Sequence, residues 1–560
     1  MKTQKMAITF LLTAGLLSGC AVPAAGQVAS AVQTVSTTAA SAVNYEGTKI
    51  TFTNSAVTAD STDGLEIDGT NLTVTKSGTY LLSGTCANGS VKVKKGTTGV
   101  TLVLQGLSLT CEDTAPLVCG KSTEVTIVAG ANTENTLADT ENNNEETGNT
   151  DAENAVIKCK DCSQVTLCGT GSLTIQANAK NGIKSGATTQ EEGEAGLTIR
   201  ELTLNIGAAN DAVNAEAALN VESGNLSISA GDDALHCDNT LSIGADNTQG
   251  PTIAISDCNE GLEGAAVNVL SGEVNIVSTD DCINAANPDL SGFDYQLNIS
   301  GGSVTAYTRT GDGFDSNGDI TISGGTVAVW SANTADNSPL DADGTVTISG
   351  GTVLAAGGSG GMGMNLNAQQ PCVVFGGESR MGGGASLVTN GSGFTISNSG
   401  TLYSGSALCG ASFLLFSSPE LADGDSCTLT CGSSETTGQV QSGTVSTGRG
   451  GMGGGKFGGN RPDGGQPGRN GEDTQKGRPV AAWAESSGRR ERASPAVPMI
   501  SPRRTAETAY EAPEIHSGSS PSHGTAAGLR TGNGQPDHHH SQHRQSGLQH
   551  PDPGRPGYGH

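Results

Sequence analysis

The chain has 560 residues, and its 56 acidic and 29 basic side chains give a formal net charge of −27 at pH 7. This acidic balance excludes direct binding to nucleic acid or to an anionic membrane surface, because both would repel the protein. The length suits either several ordinary domains or one long repeat array.

The first twenty residues contain two lysines, an apolar run to Leu17 and then Ser18-Gly19-Cys20. This order is typical of a bacterial lipoprotein signal peptide, in which cleavage before Cys20 is followed by lipid attachment to that cysteine. An ordinary secretory signal is the alternative. Both interpretations place the mature chain outside the cytoplasm, and the first predicts a cell-surface lipoprotein held to the membrane by its lipid. Residues 21–45 lack a helical period and are predicted to form a flexible tether.

Residues 46–447 consist of short alternating apolar runs broken by glycine, and these runs repeat. Three short strands in about 25 residues are typical of one coil of a parallel β-helix, so we predict a single-stranded, right-handed parallel β-helix. An antiparallel sandwich would need hairpin turns and shorter spacing. One strand of each repeat aligns with its equivalents on an apolar residue, at Leu226, Ile253, Val274, Val304, Val327 and Val353. The turns of the same coils align on Val213, Leu235, Leu262, Ile283, Phe314 and Leu340.

Three further features complete the organisation of the chain. Thirteen cysteines remain besides Cys20, and their odd number and their positions on β-like runs favour buried free thiols over a disulfide framework. Residues 139–153 form an acidic insertion without apolar side chains, which predicts a solvated loop. From residue 448 to residue 560 glycine, arginine, proline and histidine dominate, and this composition predicts a disordered tail.

Acidic and amide residues flank the apolar turn residue in successive coils, where stacking would place equivalent positions about 4.8 Å apart. Carboxylates at that spacing repel one another, and Ca²⁺ is the natural counterion because it accepts oxygen ligands in flexible geometry. A solvated acidic turn is the alternative. Two positions before the turn residue stand Asn181, Asp211, Asp233, Glu260, Asp281, Asp312 and Ser338. One position after it stand Lys184, Asn214, His236, Glu263, Asn284, Asp315 and Asp341. The candidate calcium ligands are Asn210, Asp211, Asn214, Asp232, Asp233, Asn259, Glu260, Glu263, Asp280, Asp281, Asn284, Asp312, Asp315 and Asp341.

The residues needed for catalysis are incomplete. The stretch Asp280-Asp281-Cys282 is similar to part of a pectin-degrading glycosidase site, but the next histidine is His516 and the repeat region has no Arg-x-Lys motif. A uronate lyase needs a basic residue beside calcium, and only Arg309 qualifies; a structural ion pair with the neighbouring acids is the alternative. We therefore predict no catalytic residues.

Two aromatic residues suggest a binding surface instead. Tyr307 and Trp330 stand three residues after aligned valines, so alternation places both outside the coil and one coil apart. Exposed aromatic rings stack on sugars. We predict that Tyr307, Trp330 and Arg309 contact carbohydrate, although chance exposure of the two rings is the alternative.

Residues 48–435 resemble the calcium-dependent carbohydrate-binding β-helix family of clostridial bacteria, whose members have a polysaccharide-lyase-like fold and bind cellulose and acidic sugars. The resemblance is carried by GTYLLSGT, VTLVLQGLSLT, TENTLAD, FLLFSSPEL and the acidic turns NDAVNA, DDALHC, DDCINA and GDGFDS. It implies calcium at the acidic turns and a plant-type polysaccharide, either cellulose or pectin, as the partner. We infer no protein partner. A calcium-dependent lyase and a structural adhesin are the alternative functions.

Overall fold

The computed structural model describes residues 43–446, apart from 191–192, 288–289, 291, 335–336, 359–363 and 377–385. The predicted signal peptide with Cys20, almost all of the tether and the tail from residue 448 lie outside these residues. The described part of the chain is all-β, as predicted, and has a single 3-10 turn at Glu145–Thr147. No helix within it is both long and apolar enough to cross a membrane.

Thirty-seven strands follow one another along the described chain. The first eighteen are β1 Thr48–Phe52, β2 Val57–Ala59, β3 Leu65–Asp68, β4 Asn71–Val74, β5 Gly78–Cys86, β6 Ser90–Val93, β7 Val100–Cys111, β8 Leu117–Cys119, β9 Glu124–Ala129, β10 Glu134–Asp139, β11 Ala155–Cys159, β12 Gln164–Gly169, β13 Ser172–Ala177, β14 Asn181–Ser185, β15 Gly196–Ile199, β16 Thr203–Ala208, β17 Val213–Ala215 and β18 Ala218–Val221. The others are β19 Asn225–Ala230, β20 Leu235–Ile243, β21 Thr252–Asp257, β22 Leu262–Val269, β23 Glu273–Ser278, β24 Ile283–Ala285, β25 Gln296–Ile299, β26 Ser303–Thr308, β27 Phe314–Ser316, β28 Asp319–Ile322, β29 Thr326–Trp330, β30 Val346–Ile348, β31 Thr352–Gly357, β32 Asn365–Gly376, β33 Gly393–Ser397, β34 Thr401–Ser406, β35 Phe413–Ser417, β36 Ser426–Cys431 and β37 Ser434–Ser446.

Most of these strands pair in parallel with a strand one coil further along the chain, and the pairs form three stacks. The turn stack is β4, β6, β8, β11, β14, β17, β20, β22, β24 and β27. The second stack is β9, β12, β15, β18, β20, β22, β25, β28, β30 and β32. The third stack is β10, β13, β16, β19, β21, β23, β26, β29 and β31.

The register between coils is the one that the sequence alignment predicted. Leu226 pairs with Ile253, and the same column continues to Val353 without a slip at the aligned positions. In the turn stack the column runs from Val213 to Leu340. These side chains are buried and form one continuous core. A one-residue slip would move the whole apolar set outward, which is why the apolar pattern specifies the register so strongly.

The last five strands depart from the parallel pattern. Strands β33 to β37 pair antiparallel, and β35 and β37 join the ends of β31 and β32. They bury a second apolar cluster against the outer face of the third stack. We call residues 393–446 the C-terminal layer. The prediction of uninterrupted coils did not include this layer.

The predicted free thiols and the acidic insertion can both be compared with the structure. All thirteen cysteines of the described chain are free and eleven are buried, as predicted. The insertion is more ordered than a solvated loop, because Asn143 is fully buried and bonds to Asp139 and the carbonyl of Ala155. The outer acids of the insertion, Glu146 and Glu153, form ion pairs with lysines of the coil.

Candidate functional site

The turn stack brings the predicted acidic and amide residues into two rows. We call the residues two positions before the apolar turn residue the leading row, and those one position after it the trailing row. The residue between the leading row and the turn is small because the coils touch there: a Cβ added at Gly313 would lie 2.5 Å from the carbonyl oxygen of Pro339. The trailing row runs in register through Lys184, Asn214, His236, Glu263, Asn284 and Asp315.

Most of the leading row ties one coil to the next. The Asp211 amide donates to Asn181 Oδ1 at 3.2 Å, and the Asp233 amide donates to Asp211 Oδ1 at 3.3 Å. Further along, the Asp312 amide donates to Asp281 Oδ1 at 2.7 Å, and the Ser338 amide donates to Asp312. Within the described residues, the carboxylates of Asp233 and Glu260 accept no such amide. The row therefore joins successive coils through backbone amides toward its two ends, whereas the carboxylates of Asp233 and Glu260 in its middle contact side chains instead.

Four carboxyls of the leading row have raised pKa values. Burial and the neighbouring Asp233 raise the pKa of Asp211 to about 6. Burial and Glu263 raise the pKa of Glu260 to about 9, and burial and Asp315 raise that of Asp281 to about 8. Burial raises the pKa of Asp312 to about 7 despite the amide of Ser338. These directions follow from stacking like charges in a partly dry turn.

Two side-chain amides of the trailing row donate hydrogen bonds to carboxylates of the leading row. Asn214 Nδ2 donates to Asp211 Oδ2 at 2.7 Å, and Asn284 Nδ2 donates to Glu260 Oε2 at 3.0 Å. The other amide atom, Asn284 Oδ1, is shielded from solvent and accepts no hydrogen bond from the described residues. Burial and Asp341 raise the pKa of Asp315, the register partner of Asn284, to about 6.

The remaining predicted ligands occupy the edges of the two rows. Asn210 donates to both Asn181 and Asp211. Asp232 joins Asp211 and Asp233 in a group whose carboxylate oxygens lie within 4.8 Å of one another. A second such group contains Asp233, His236 and Glu263. Asn259 and Asp341 are partly exposed, and Asp280 is exposed.

The predicted aromatic platform is wrong. Tyr307 and Trp330 are register partners on the outer face of the third stack, as alternation required. The C-terminal layer covers them: Trp330 is 1% exposed and packs edge-to-face on Phe394 at 5.9 Å between ring centroids, while Tyr307 is half-buried against the same cluster. Alternation correctly predicts that both side chains point out of the coil. It does not predict that a later segment of the chain covers this outer face.

Arg309 lies away from the acids beside which it stands in sequence. Its Nη1 is 3.0 Å from Asp257 Oδ1 and 3.4 Å from Thr279 Oγ1, and 43% of its side chain is exposed. Among the described residues it forms no ion pair with Asp312 or Asp315. The structural ion pair anticipated for it is therefore made with a different partner.

Sequence reasoning missed an uncharged surface on the second stack. The middle residue of each strand there points outward between two buried apolar residues, and it is threonine, asparagine or serine in ten successive coils. We call these residues the polar row. All are partly exposed and in register: Thr126, Thr166, Thr198, Asn220, Ser242, Asn268, Asn298, Thr321, Thr347 and Asn367. The repeated pattern of apolar, Thr/Asn/Ser, apolar in the second strands was the available signal.

The polar row begins in a shallow groove of about 610 Å³. Thr126, Thr166 and Thr198 form its floor, and Glu124 and Glu194 contribute to its lining. The groove and the row together present hydroxyl and amide groups at the coil spacing of about 4.8 Å.

Comparisons with known proteins identify a family, a curated relative and a structural neighbour. A family model described as carbohydrate-binding domain-containing protein matches residues 68–361. A curated protein with that description from Acetivibrio thermocellus is 35% identical over 136 residues, which are 24% of this chain and 47% of the relative. The match thus spans about half the length of the curated relative. A solved structure of the polysaccharide lyase-like protein from C. thermocellum, a gadolinium derivative, is 24% identical with a TM-score of 0.30, covering 55% of this chain and 94% of that chain. Because the family model matches more than half of the 560 residues, the chain belongs to the family of carbohydrate-binding domain-containing proteins.

Proposed function

We propose that this chain is a right-handed parallel β-helix that binds an acidic plant-type polysaccharide without catalysis, using calcium held at its acidic turns. The observation that carries the proposal is the set of stacked carboxylates of Glu260, Asp281, Asp312 and Asp315. No lysine, arginine or histidine in the described part of the chain forms an ion pair with any of these four. A set of like charges without a basic partner calls for a cation.

The donor set fits a hard cation. Ca²⁺ takes six to eight oxygen ligands from carboxylates, amide carbonyls and water. Asn284 Oδ1 accepts no hydrogen bond from any described residue, and the register partners of Asn284 are Glu263 and Asp315. A second oxygen group is formed by Asp211, Asp232 and Asp233. Calcium would supply the positive charge that lets these carboxylates stay ionised together.

Calcium would also resolve the conflict between an acidic protein and an acidic sugar. The net charge of −27 repels a polyuronate, whereas a cation with free coordination positions attracts carboxylates from both sides. Cellulose lacks this charge and would depend on hydrogen bonds alone, so the acidic turns favour the pectin type of glycan.

We assign the sugar-contact surface to the polar row in place of the predicted aromatic platform. The row offers an uncharged, hydrogen-bonding surface nine coil steps long, about 43 Å at the usual strand spacing. A polysaccharide chain could lie along it and exchange water for hydroxyl and amide groups with little electrostatic cost. Arg309 is partly exposed beside Asp257 and remains a proposed contact for a sugar carboxylate.

Co-sedimentation of the full chain with insoluble polygalacturonate, in calcium and in chelator, tests this function. The absorbance of unsaturated sugar product is measured in the same samples. Calcium-dependent sedimentation without product supports the proposal. Product formation would instead support a lyase, and sedimentation in neither condition would support a structural adhesin; either result overturns the proposal.

A further inference from the structure

The middle of the two rows contains a cluster with a different chemistry. His236 stands in the trailing row directly after the turn residue Leu235, and its register partners are Asn214 and Glu263. His236 Nδ1 lies 3.3 Å from Asp233 Oδ2 and contacts Glu263 Oε2 directly. One atom from each of the three side chains falls within 4.8 Å of the others. The repeat thus replaces an amide by an imidazole nitrogen where two carboxylates converge.

The other ring nitrogen of His236, Nε2, also has a carboxylate partner. His236 Nε2 lies 2.9 Å from Asp238 Oδ1, so the carboxylate of Asp238 accepts the Nε2–H. In the imidazolium form Nδ1–H donates toward Asp233 and Glu263, and loss of that proton leaves the Nδ1 lone pair directed at the same point. A carboxylate that fixes the tautomer and orientation of a histidine from behind is the usual second shell of a histidine metal ligand.

The cluster is partly shielded, and its contact between coils is that of His236 with Glu263. The side chains of Asp233, His236 and Glu263 are 12%, 22% and 16% exposed. In the described chain, the Asp233 carboxylate accepts no backbone amide of the next coil, unlike those of Asp211 and Asp281. Two carboxylate oxygens and one imidazole nitrogen therefore converge on one partly shielded point.

We propose that Asp233, His236 and Glu263 form a site for a borderline divalent transition metal, with Zn²⁺ as the best-fitting ion. Imidazole nitrogen with two carboxylate oxygens is a donor set that zinc accepts, and three protein ligands leave a position open for water or a ligand. Calcium disfavours the nitrogen donor, so this site differs in selectivity from the neighbouring oxygen-only group of Asp211, Asp232 and Asp233, with which it shares Asp233. Metal binding releases the Nδ1 proton to solvent. The proposal does not rest on polysaccharide binding.

Equilibrium dialysis of the chelator-stripped full chain against zinc chloride, in excess calcium, tests the site. Eight other histidines lie after residue 515, so the readout is the difference between variants and not the total zinc. We expect wild type to hold about one more zinc ion per chain than His236→Gln, and zinc to raise the melting temperature of wild type but not of His236→Gln. Glu273→Gln, which removes an exposed acid of the third stack, is the control away from the cluster and should bind zinc as wild type does.

A second variant separates a metal ligand from a purely structural histidine. Asp238→Asn keeps an acceptor for Nε2–H but lowers the basicity of the ring, so we expect zinc affinity to fall by about 10- to 100-fold while the unliganded melting temperature changes little. Equal zinc content in wild type and His236→Gln overturns the proposal. So does a wild-type melting temperature that zinc leaves unchanged. X-ray absorption at the zinc edge should show nitrogen and oxygen neighbours; a sulfur shell would assign the zinc to the cysteines and also overturn it.

Discussion

Replacing Trp330 with alanine should destabilise the protein and should not remove a sugar contact. The indole is 1% exposed and lies in the cluster that joins the third stack to the C-terminal layer. Burying an aromatic side chain of about 200 Å² is worth about 5 kcal/mol at 25 cal/mol per Å². Measured losses for buried Phe or Trp to Ala are about 3–5 kcal/mol, so we expect a loss of about 4 kcal/mol.

Phe394 lies edge-on to this indole and stacks in turn on Tyr403 at 5.6 Å between ring centroids. Removal of the indole should therefore weaken side-chain packing within the C-terminal layer. Denaturant unfolding followed by near-ultraviolet circular dichroism measures it, with Tyr307→Ala as the partly buried control that should cost less. Polysaccharide retention should stay at the wild-type level where Trp330→Ala is folded. An unchanged unfolding midpoint together with a tenfold loss of retention would refute this assignment and restore the aromatic platform.

Three further predictions concern charge, the polar row and the acidic insertion. Burial and Asp315 raise the pKa of Asp281 to about 8, so the folded chain holds more protons than the unfolded chain between about pH 4 and pH 8. The melting temperature in chelator should therefore fall as pH rises through that range and recover with calcium near pH 8; equal melting at both ends would contradict the stacked carboxylates. Asn268→Asp adds a negative charge to the polar row and should weaken polygalacturonate retention several-fold, whereas Asn275→Asp on the third stack should not; equal effects would exclude the row. Asn143→Ala leaves buried polar groups without partners and should cost about 2–4 kcal/mol, measured by thermal unfolding, and a neutral result would mean that the insertion is not ordered by this side chain.

The candidate site was predictable in its position but not in its contacts. The repeat placed Asp281 and Asp312 at equivalent turns, because stacking a coil on its neighbour leaves one register for the apolar residues. Which oxygens accept an amide from the next coil depends on backbone angles within each turn. The sequence therefore identified the rows, whereas only the structure shows that, among the described residues, the carboxylates of Asp233 and Glu260 accept no backbone amide from the next coil.

The sequence by itself determined the all-β class, the free buried thiols and the coil register, because all three depend on a repeated local pattern of inward apolar side chains. The tertiary structure alone decided what covers the outer faces. The C-terminal layer packs on Trp330 from residues more than sixty positions away, whereas the polar row stays partly exposed. The same structure brings Glu263 against His236 and turns Arg309 toward Asp257. Such contacts depend on how separate segments meet in space, and alternation along a strand carries no information about that.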